Sequence, residues 1–467
     1  MRYLLHTFGC QMNVHDSERI EDVLADCGYE PTDSPADADV IVVNTCSVRE
    51  KAEHKLMSLL GRLAEVKEAR PETVIVVAGC VAQQEGERLL ARAPFVDLVL
   101  GPDNIVELPE LLHHVQHGGP PMTRTVFDVE APEFLVARPR SGIAEPSAYV
   151  TIMKGCDERC TFCVVPYTRG PERYRPADDV VGEVRVLVER GVREVTLLGQ
   201  TVNSWYEPGS ECSESQFPSL LRKIASEVPG LLRLRYTSPH PRHVNSELVL
   251  VHAELDVLAA HVHLPVQSGS DRVLRRMRRK YTRTEYIGRA RALSGSRHGF
   301  TLSTDFIVGF PGETEADFRE TLSLIDEAEL VAAFAFKYSP RPHTPSLNLA
   351  DDVTDEVKSE RLNRLFEAVA VRQSAHLQGL VGTHQRVLVE GPGPGVNRFR
   401  GRTGRNEIVH FTAAPGVDPT GDLVEVRVEQ AHAHSLAGEP VGVLVPKLST
   451  RGSLRRLRLI EDHGVPA

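Results

Sequence analysis

Polar and apolar positions fall into three regimes along the chain. Up to about residue 117, short β-branched apolar runs alternate with stretches in which apolar residues recur every three or four positions. Residues 3–9, 39–45 and 73–79 read as strands, and 13–27, 48–69 and 83–93 as helices. This alternation predicts an α/β fold with an N-terminal doubly wound parallel sheet. In such sheets ligands sit beyond the carboxyl ends of the strands. All three strands run into a cysteine there, Cys10, Cys46 and Cys80, so the three can converge although they are far apart in sequence.

Residues 112–146, rich in His, Gly and Pro, read as a linker with little structure of its own. A second alternating region follows, with strands at 149–154, 194–198, 232–237, 261–266, 301–308 and 334–338. Helices, for example 177–190, 271–278 and 314–328, lie between them. Six such units predict a partial (β/α)6 barrel whose active face is the rim at the strand ends. After a helix at 354–377, short strands at 385–390, 406–411, 422–429 and 440–445 are separated by Gly and Pro turns, the pattern of a small β-barrel. The expected division is 1–117, a linker at 118–141, a core at 142–373, a terminal barrel at 375–446 and a tail at 447–467.

Of 467 residues, 41% are hydrophobic and 25% charged, which excludes disorder as the main state. Lys and Arg number 54 against 64 Asp and Glu, a net charge of −10, so an overall basic coat for nucleic acid is excluded. Two local basic stretches remain. One runs through Arg272, Arg275, Arg276, Arg278, Arg279, Lys280 and Arg283; the other, Arg398, Arg400, Arg402 and Arg405, interleaves with Phe399 and Gly401. Phosphate contact or a solvated helix face accounts for the first. The second lies in the terminal barrel and is the better RNA surface. No run approaches the roughly 20 apolar residues of a membrane helix, and the N-terminus lacks a secretory apolar region. A cytoplasmic protein without a membrane partner is expected. Eight cysteines are too few for a disulfide framework; Cys27 and Cys212 read as packing or spare thiols.

Cys156, Cys160 and Cys163 form a C-x3-C-x2-C run in the loop after the first barrel strand. Three thiolates leave one iron of a four-iron cluster open. Structural zinc wants four closed ligands, and no fourth is nearby. This run resembles that of the radical S-adenosylmethionine (SAM) enzymes. Further stretches resemble the methylthiotransferases within that superfamily: Thr7-Phe8-Gly9-Cys10-Gln11-Met12-Asn13, Asn44-Thr45-Cys46, Gly79-Cys80, residues 165–172, Leu198-Gly199-Gln200, residues 264–270 and 304–314. The terminal barrel resembles the TRAM domain, an RNA-binding module. The chain departs from the family's pattern at Thr201, at Arg173-Tyr174-Arg175-Pro176 and at Pro342-His343-Thr344.

The resemblance implies a 4Fe-4S cluster on Cys156, Cys160 and Cys163 whose open iron takes SAM, with Phe162 near the adenine. It implies a second 4Fe-4S cluster on Cys10, Cys46 and Cys80 that carries the inserted sulfur. SAM would serve as both methyl donor and radical source. At the strand ends, Gln200, Asn203, Ser238, Gln267 and Gly309 are expected to meet SAM. Arg169, Glu172 and Asp305, with Arg398, Arg400 and Arg402, are expected to meet substrate. The implied reaction places a methylthio group on C2 of N6-isopentenyladenosine at position 37 of tRNA. The partners would be the anticodon arm and a flavodoxin- or ferredoxin-type electron donor, and the enzyme a monomer. Threonylcarbamoyl-adenosine or a ribosomal-protein aspartate are alternative substrates. A non-catalytic metal-binding RNA-binding protein is the alternative of a different class.

Overall fold

The computed structural model of the protein describes residues 1–47, 50–130, 132–136, 145–211 and 214–447. Cys212, residues 131 and 137–141 of the expected linker and nearly all of the tail lie outside them. Among the described residues no helix is long and apolar enough to cross a membrane.

The first domain is a six-stranded sheet in the order β2-β1-β3-β4-β5-β6. Its strands are β1 (Arg2–Phe8), β2 (Glu30–Pro31), β3 (Val40–Thr45), β4 (Val74–Gly79), β5 (Leu98–Leu100) and β6 (Met122–Arg124), and all pair in parallel. Helices α1 (Gln11–Asp26), α2 (Glu50–Ala69), α3 (Cys80–Glu85), α4 (Glu87–Arg92) and α5 (Leu108–Gln116) cover it. Strand side chains alternate between faces, and here both faces are apolar. Ile41, Val43, Ile75 and Val77 pack under Leu56, Leu60 and Leu63 of α2. Val40, Val42, Val74 and Val76 pack under Ile20 and Leu24 of α1 and Leu108 and Leu112 of α5.

Two expectations change here. The linker reading fails at both ends of its first half, because 112–116 finish α5 and Met122–Arg124 pair with β5 as the sheet's edge. The helix expected at 83–93 begins at Cys80 and breaks at Gly86, whose φ is +51°.

The core contributes six parallel strands: β7 (Ser147–Thr151), β10 (Glu194–Leu198), β11 (Arg233–Tyr236), β12 (His261–His263), β13 (Thr301–Val308) and β14 (Leu330–Lys337). A short antiparallel pair, β8 (Met153–Lys154) and β9 (Arg173–Tyr174), flanks the cysteine loop. The strands form two three-stranded sheets, β11-β10-β7 and β12-β13-β14, joined by the bridge between Leu234 and Leu258. Helices α6 (Val165–Thr168), α7 (Ala177–Glu189), α8 (Phe217–Glu227), α9 (Ser246–Glu254), α10 (Asp271–Arg276), α11 (Arg283–Gly295), α12 (Glu315–Glu327) and α13 (Asp355–Gln378) complete it. One apolar core lies between sheet and helices, from Val150 through Trp205 and Phe306 to Leu365 and Val369.

The terminal domain is a closed five-stranded barrel, ordered β15-β16-β17-β19-β18. Its strands are β15 (His384–Pro392), β16 (Arg398–Thr403), β17 (Ile408–Thr412), β18 (Leu423–Ala431) and β19 (Leu436–Val445). β16 was not among the expected strands. Its Phe399 points inward, buried against Phe411 at 6.3 Å between ring centroids, so it is not free to stack on a base. Arg398 and Arg400 face solvent, and Arg402 pairs with Glu390 at 2.8 Å.

The three domains share buried contacts. Arg173 pairs with Asp103 of the first domain, and Lys154 reaches the same carboxylate at 3.2 Å. The β16–β17 turn closes the lower end of the core: Arg233 donates to the Arg402 carbonyl at 3.1 Å and Arg235 to the Thr403 carbonyl at 2.6 Å.

Candidate functional site

The N-terminal cysteines meet because three parallel strands end at the same height. Cys10 caps α1 and Cys80 opens α3. Cys46 hydrogen-bonds Cys10, and this bond lowers the Cys10 thiol to about 6 against the effect of burial. Burial pushes Cys80 up, with Cys10 close enough to add to it. A buried asparagine pair holds the ends together. Asn44, after the apolar run of β3, donates to the Asn13 carbonyl and to Ser17 Oγ, both at 2.9 Å. Asn13 in turn accepts from the Cys10 thiol at 3.4 Å. Gly9, at φ +146°, leaves the space this needs, since a Cβ there would stand 2.5 Å from Cys46 Cβ and run into the Asn13 amide.

The core cysteines lie at the end of the first barrel strand. Burial pushes Cys156 up to about 11 and Cys163 to about 12, with mutual repulsion of the thiolates adding to it. A bound cation reverses that order and deprotonates the thiols. Each cysteine set is met by one buried arginine. Arg279 donates to Cys160 Sγ at 3.4 Å, to the Pro265 carbonyl and to Tyr281 Oη. Among the described residues no carboxylate pairs with it. A buried guanidinium without a carboxylate is costly, and a cluster held by three thiolates would carry the compensating negative charge. Arg169 donates to Cys80 Sγ at 3.3 Å and pairs bidentately with Asp16 on α1. Since Arg169 is the sixth residue after Cys163, one short segment links the two cysteine sets. His15 of α1 also lies 3.4 Å from Thr151 Oγ1, so the first domain sits over the core's rim. Soft thiolate donors in two sets of three, with buried cations beside them, fit iron–sulfur clusters.

At the rim, both amide atoms of Gln200 are buried without a hydrogen-bond partner. Such an amide costs free energy unless a ligand completes it. Ser238 and Gln267 hold left-handed backbone at φ +58° and +78°, a strain typical of functional sites.

Three family models match in succession: Uncharacterized protein family UPF0004 over residues 2–101, the Radical SAM superfamily over 150–325 and the TRAM domain over 378–441. A relative from Sorangium cellulosum (strain So ce56), named tRNA-2-methylthio-N(6)-dimethylallyladenosine synthase, is 58% identical over 462 residues, covering 94% of this chain and 93% of its own. One of the same name from Burkholderia mallei (strain SAVP1) is 46% identical over 443 residues, covering 93% and 96%. The chain belongs to the tRNA-2-methylthio-N(6)-dimethylallyladenosine synthase family. Among solved structures, the radical SAM methyltransferase TsrM from Kitasatospora setae, with cobalamin and a 4Fe-4S cluster bound, superposes with a TM-score of 0.54 at 15% identity. That match covers 74% of this chain and 76% of that one and shows likeness of fold.

In this synthase-family chain, not every residue expected at the site is free to serve there. Asn203 is tied up within the rim, donating to the His240 carbonyl at 2.9 Å and accepting from the His240 amide at 2.7 Å. The space beside Gly309 is filled by the Lys358 side chain, and the Gly309 amide donates to Glu313 at 2.7 Å. Phe162 packs against Val273, Met277, Phe310 and Tyr338. Glu172 accepts from Ser204 Oγ at 3.0 Å and from the Tyr174 hydroxyl. Asp305 lies 3.2 Å from His263 Nε2.

Much of the first basic stretch is paired with carboxylates, although Arg272, Arg275, Arg278 and Lys280 stay exposed. Arg272 pairs with Asp317, Arg283 with Glu327 at 2.7 Å and Lys280 with Glu158 at 3.2 Å. Glu158, within the cysteine loop, also meets His243 and Arg242, each at 3.1 Å. Burial alone would raise its carboxyl; His243, His240 and Lys280 reverse this and hold it well below the usual carboxylate range. With two full cations already on the carboxylate, this cluster is an ion-pair network that braces the loop.

Sequence reasoning assigned no role to Asn13, Asn44 or Thr201, and it read Arg279 only as part of a basic run for phosphate contact or a solvated helix face. The signal for Asn44 was a polar residue closing an apolar strand. Thr201, a departure from the family's pattern, puts its hydroxyl 3.2 Å from Cys156 Sγ.

Proposed function

We propose that this chain inserts a methylthio group at C2 of N6-dimethylallyladenosine at position 37 of tRNA, working with two 4Fe-4S clusters. The observation that carries the reading is the linked pair of cysteine sets, Cys10–Cys46–Cys80 and Cys156–Cys160–Cys163, joined through Arg169. One SAM would supply the methyl group to sulfur at the N-terminal set, and a second, held at the core set, would supply the radical that opens the C2–H bond, which has no acidic proton for a base to take. The protein's own part is positional. Asn13 and Asn44 fix the strand ends that present the N-terminal thiols. Arg169 and Asp16 hold that domain over the rim, and the unpartnered Gln200 amide is available to SAM. Arg398 and Arg400, exposed on the terminal barrel, would meet phosphates of the anticodon arm. A flavodoxin- or ferredoxin-type protein would deliver electrons to a monomeric enzyme.

The test is an anaerobic assay of reconstituted protein with SAM, reductant and tRNA bearing dimethylallyladenosine, its nucleosides read by mass spectrometry. The methylthio product is expected from the unaltered protein. Cys10→Ala should still form 5′-deoxyadenosine but no methylthio product. Cleavage of SAM with this tRNA untouched would sink the substrate assignment and spare the radical chemistry.

A further inference from the structure

The lumen of the partial barrel is lined unevenly. Along β13, Leu302, Phe306 and Val308 pack outward into the core between sheet and helices. Ser303 and Asp305 turn the other way. Ser303 Oγ lies 3.0 Å from His261 Nε2 and 2.9 Å from His263 Nδ1, and Asp305 meets His263. In the parallel register Asp305 stands beside Phe334, and Ile307 beside Phe336. Neighbours across a ladder share a face, so both rings open into the lumen. The residues between and after them confirm the alternation, since Ala335 is buried in the core and Lys337 reaches Asp355 on the outer helix α13 at 2.8 Å.

Phe334 is 61% exposed and Phe336 42%, although both lie within the enzyme's own concavity. The Phe334 ring meets the His263 ring edge-on at 5.8 Å. Bare aromatic rings in a lumen shared with His261, His263, Ser303 and Asp305 have an apolar ligand to gain. The charge at that level is negative, from Asp305. The arginines at the lower end, Arg233 and Arg235, are taken by Glu194 and by carbonyls of the terminal barrel.

Resting on the function proposed above, we infer that Phe334 and Phe336 form the wall that receives the dimethylallyl group of the substrate adenosine. The prenyl group is a branched five-carbon hydrocarbon, which an aromatic wall frees from water. Phe336 and Phe334 stand two and four residues before Tyr338 just beyond the strand end. A base held there lies beneath the cysteine loops.

The test uses anticodon stem-loop RNAs identical except at position 37, which carries adenosine, dimethylallyladenosine or threonylcarbamoyl-adenosine. Binding to anaerobically reconstituted enzyme is read by fluorescence anisotropy, and product by mass spectrometry. Unaltered protein should prefer the prenylated RNA over the unmodified one. Phe334→Ala should cut that preference roughly tenfold, with affinity for unmodified RNA unchanged, while Phe334→Leu keeps most of it. If Phe334→Ala and Phe336→Ala both bind unmodified RNA normally and keep the full prenyl preference, the wall is elsewhere and the inference falls. The binding preference judges the wall, whereas the methylthio product on the same RNAs judges the underlying function.

Discussion

His252 shows how much of this protein's behaviour rests on single buried groups. It lies fully buried with Nε2 2.7 Å from the Tyr236 hydroxyl and the Phe300 ring edge-on at 5.0 Å. Burial holds its imidazole down to about 3. The unfolded chain takes up this proton near 6.5 and the folded chain does not. The stabilisation is therefore complete above about 6.5 and is lost as the pH falls toward 3. One such group costs up to about 1.4 kcal/mol per pH unit in that window. Urea unfolding between pH 7.5 and 5 should show this decline, and His252→Gln should make it shallower even if that variant is weaker throughout. Arg279 makes the complementary point about legibility. In sequence it is one of a run of cations that could all be solvated; in the fold it is the one that reaches Cys160. Charge patterning cannot tell a buried arginine from its exposed neighbours, because their difference arises only from tertiary packing.

At the scale of elements, the N-terminal cysteines were legible because a continuous β-branched apolar run ending in cysteine marks both a strand and the end that faces a ligand, and the core set because its C-x3-C-x2-C spacing is local. Most strands were found from their apolar runs. β14 starts earlier than expected because Leu330–Ala333 contains little β-branched signal. β16 was missed although Arg398-Phe399-Arg400-Gly401-Arg402 alternates with period two, because its charges drew the reading toward a binding patch. In the barrel one face of this strand packs and the other meets solvent, which leaves room for a binding patch. The β1–α1 junction is the tightest of these local arrangements. Gly9→Ala would drive a methyl group into Asn13 and Cys46, so the N-terminal set should lose its metal while the core set keeps it. Reconstituted variant protein should carry about four irons per chain instead of about eight, and should still cleave SAM. Full iron content in this variant would contradict the proposed assignment of the N-terminal cysteines.

For the whole molecule, domain order was legible from the change of hydrophobic period, but the contacts between domains were not. Asp16 and Asp103 lie 153 and 70 residues before their partners Arg169 and Arg173 and meet them only in the assembled fold. The terminal barrel illustrates the separation of affinity from architecture. Arg398 and Arg400 are exposed while Arg402 is held by Glu390. Replacing the first two with glutamate should weaken tRNA binding and flatten the dependence of log K on log salt by about one unit per arginine. Arg402→Gln should change that slope less. A filter-binding titration across salt concentrations separates these outcomes.

The turn between β16 and β17 carries a practical corollary for anyone who would excise the core as a free-standing catalytic fragment. A cut before β15 removes the carbonyls that Arg233 and Arg235 use, together with the Arg405 carbonyl 3.4 Å from Thr301 Oγ1. It would leave polar groups shaped for a protein neighbour open to bulk water at the base of the lumen. A fragment cut before β15 should therefore unfold at a lower urea concentration than the whole chain.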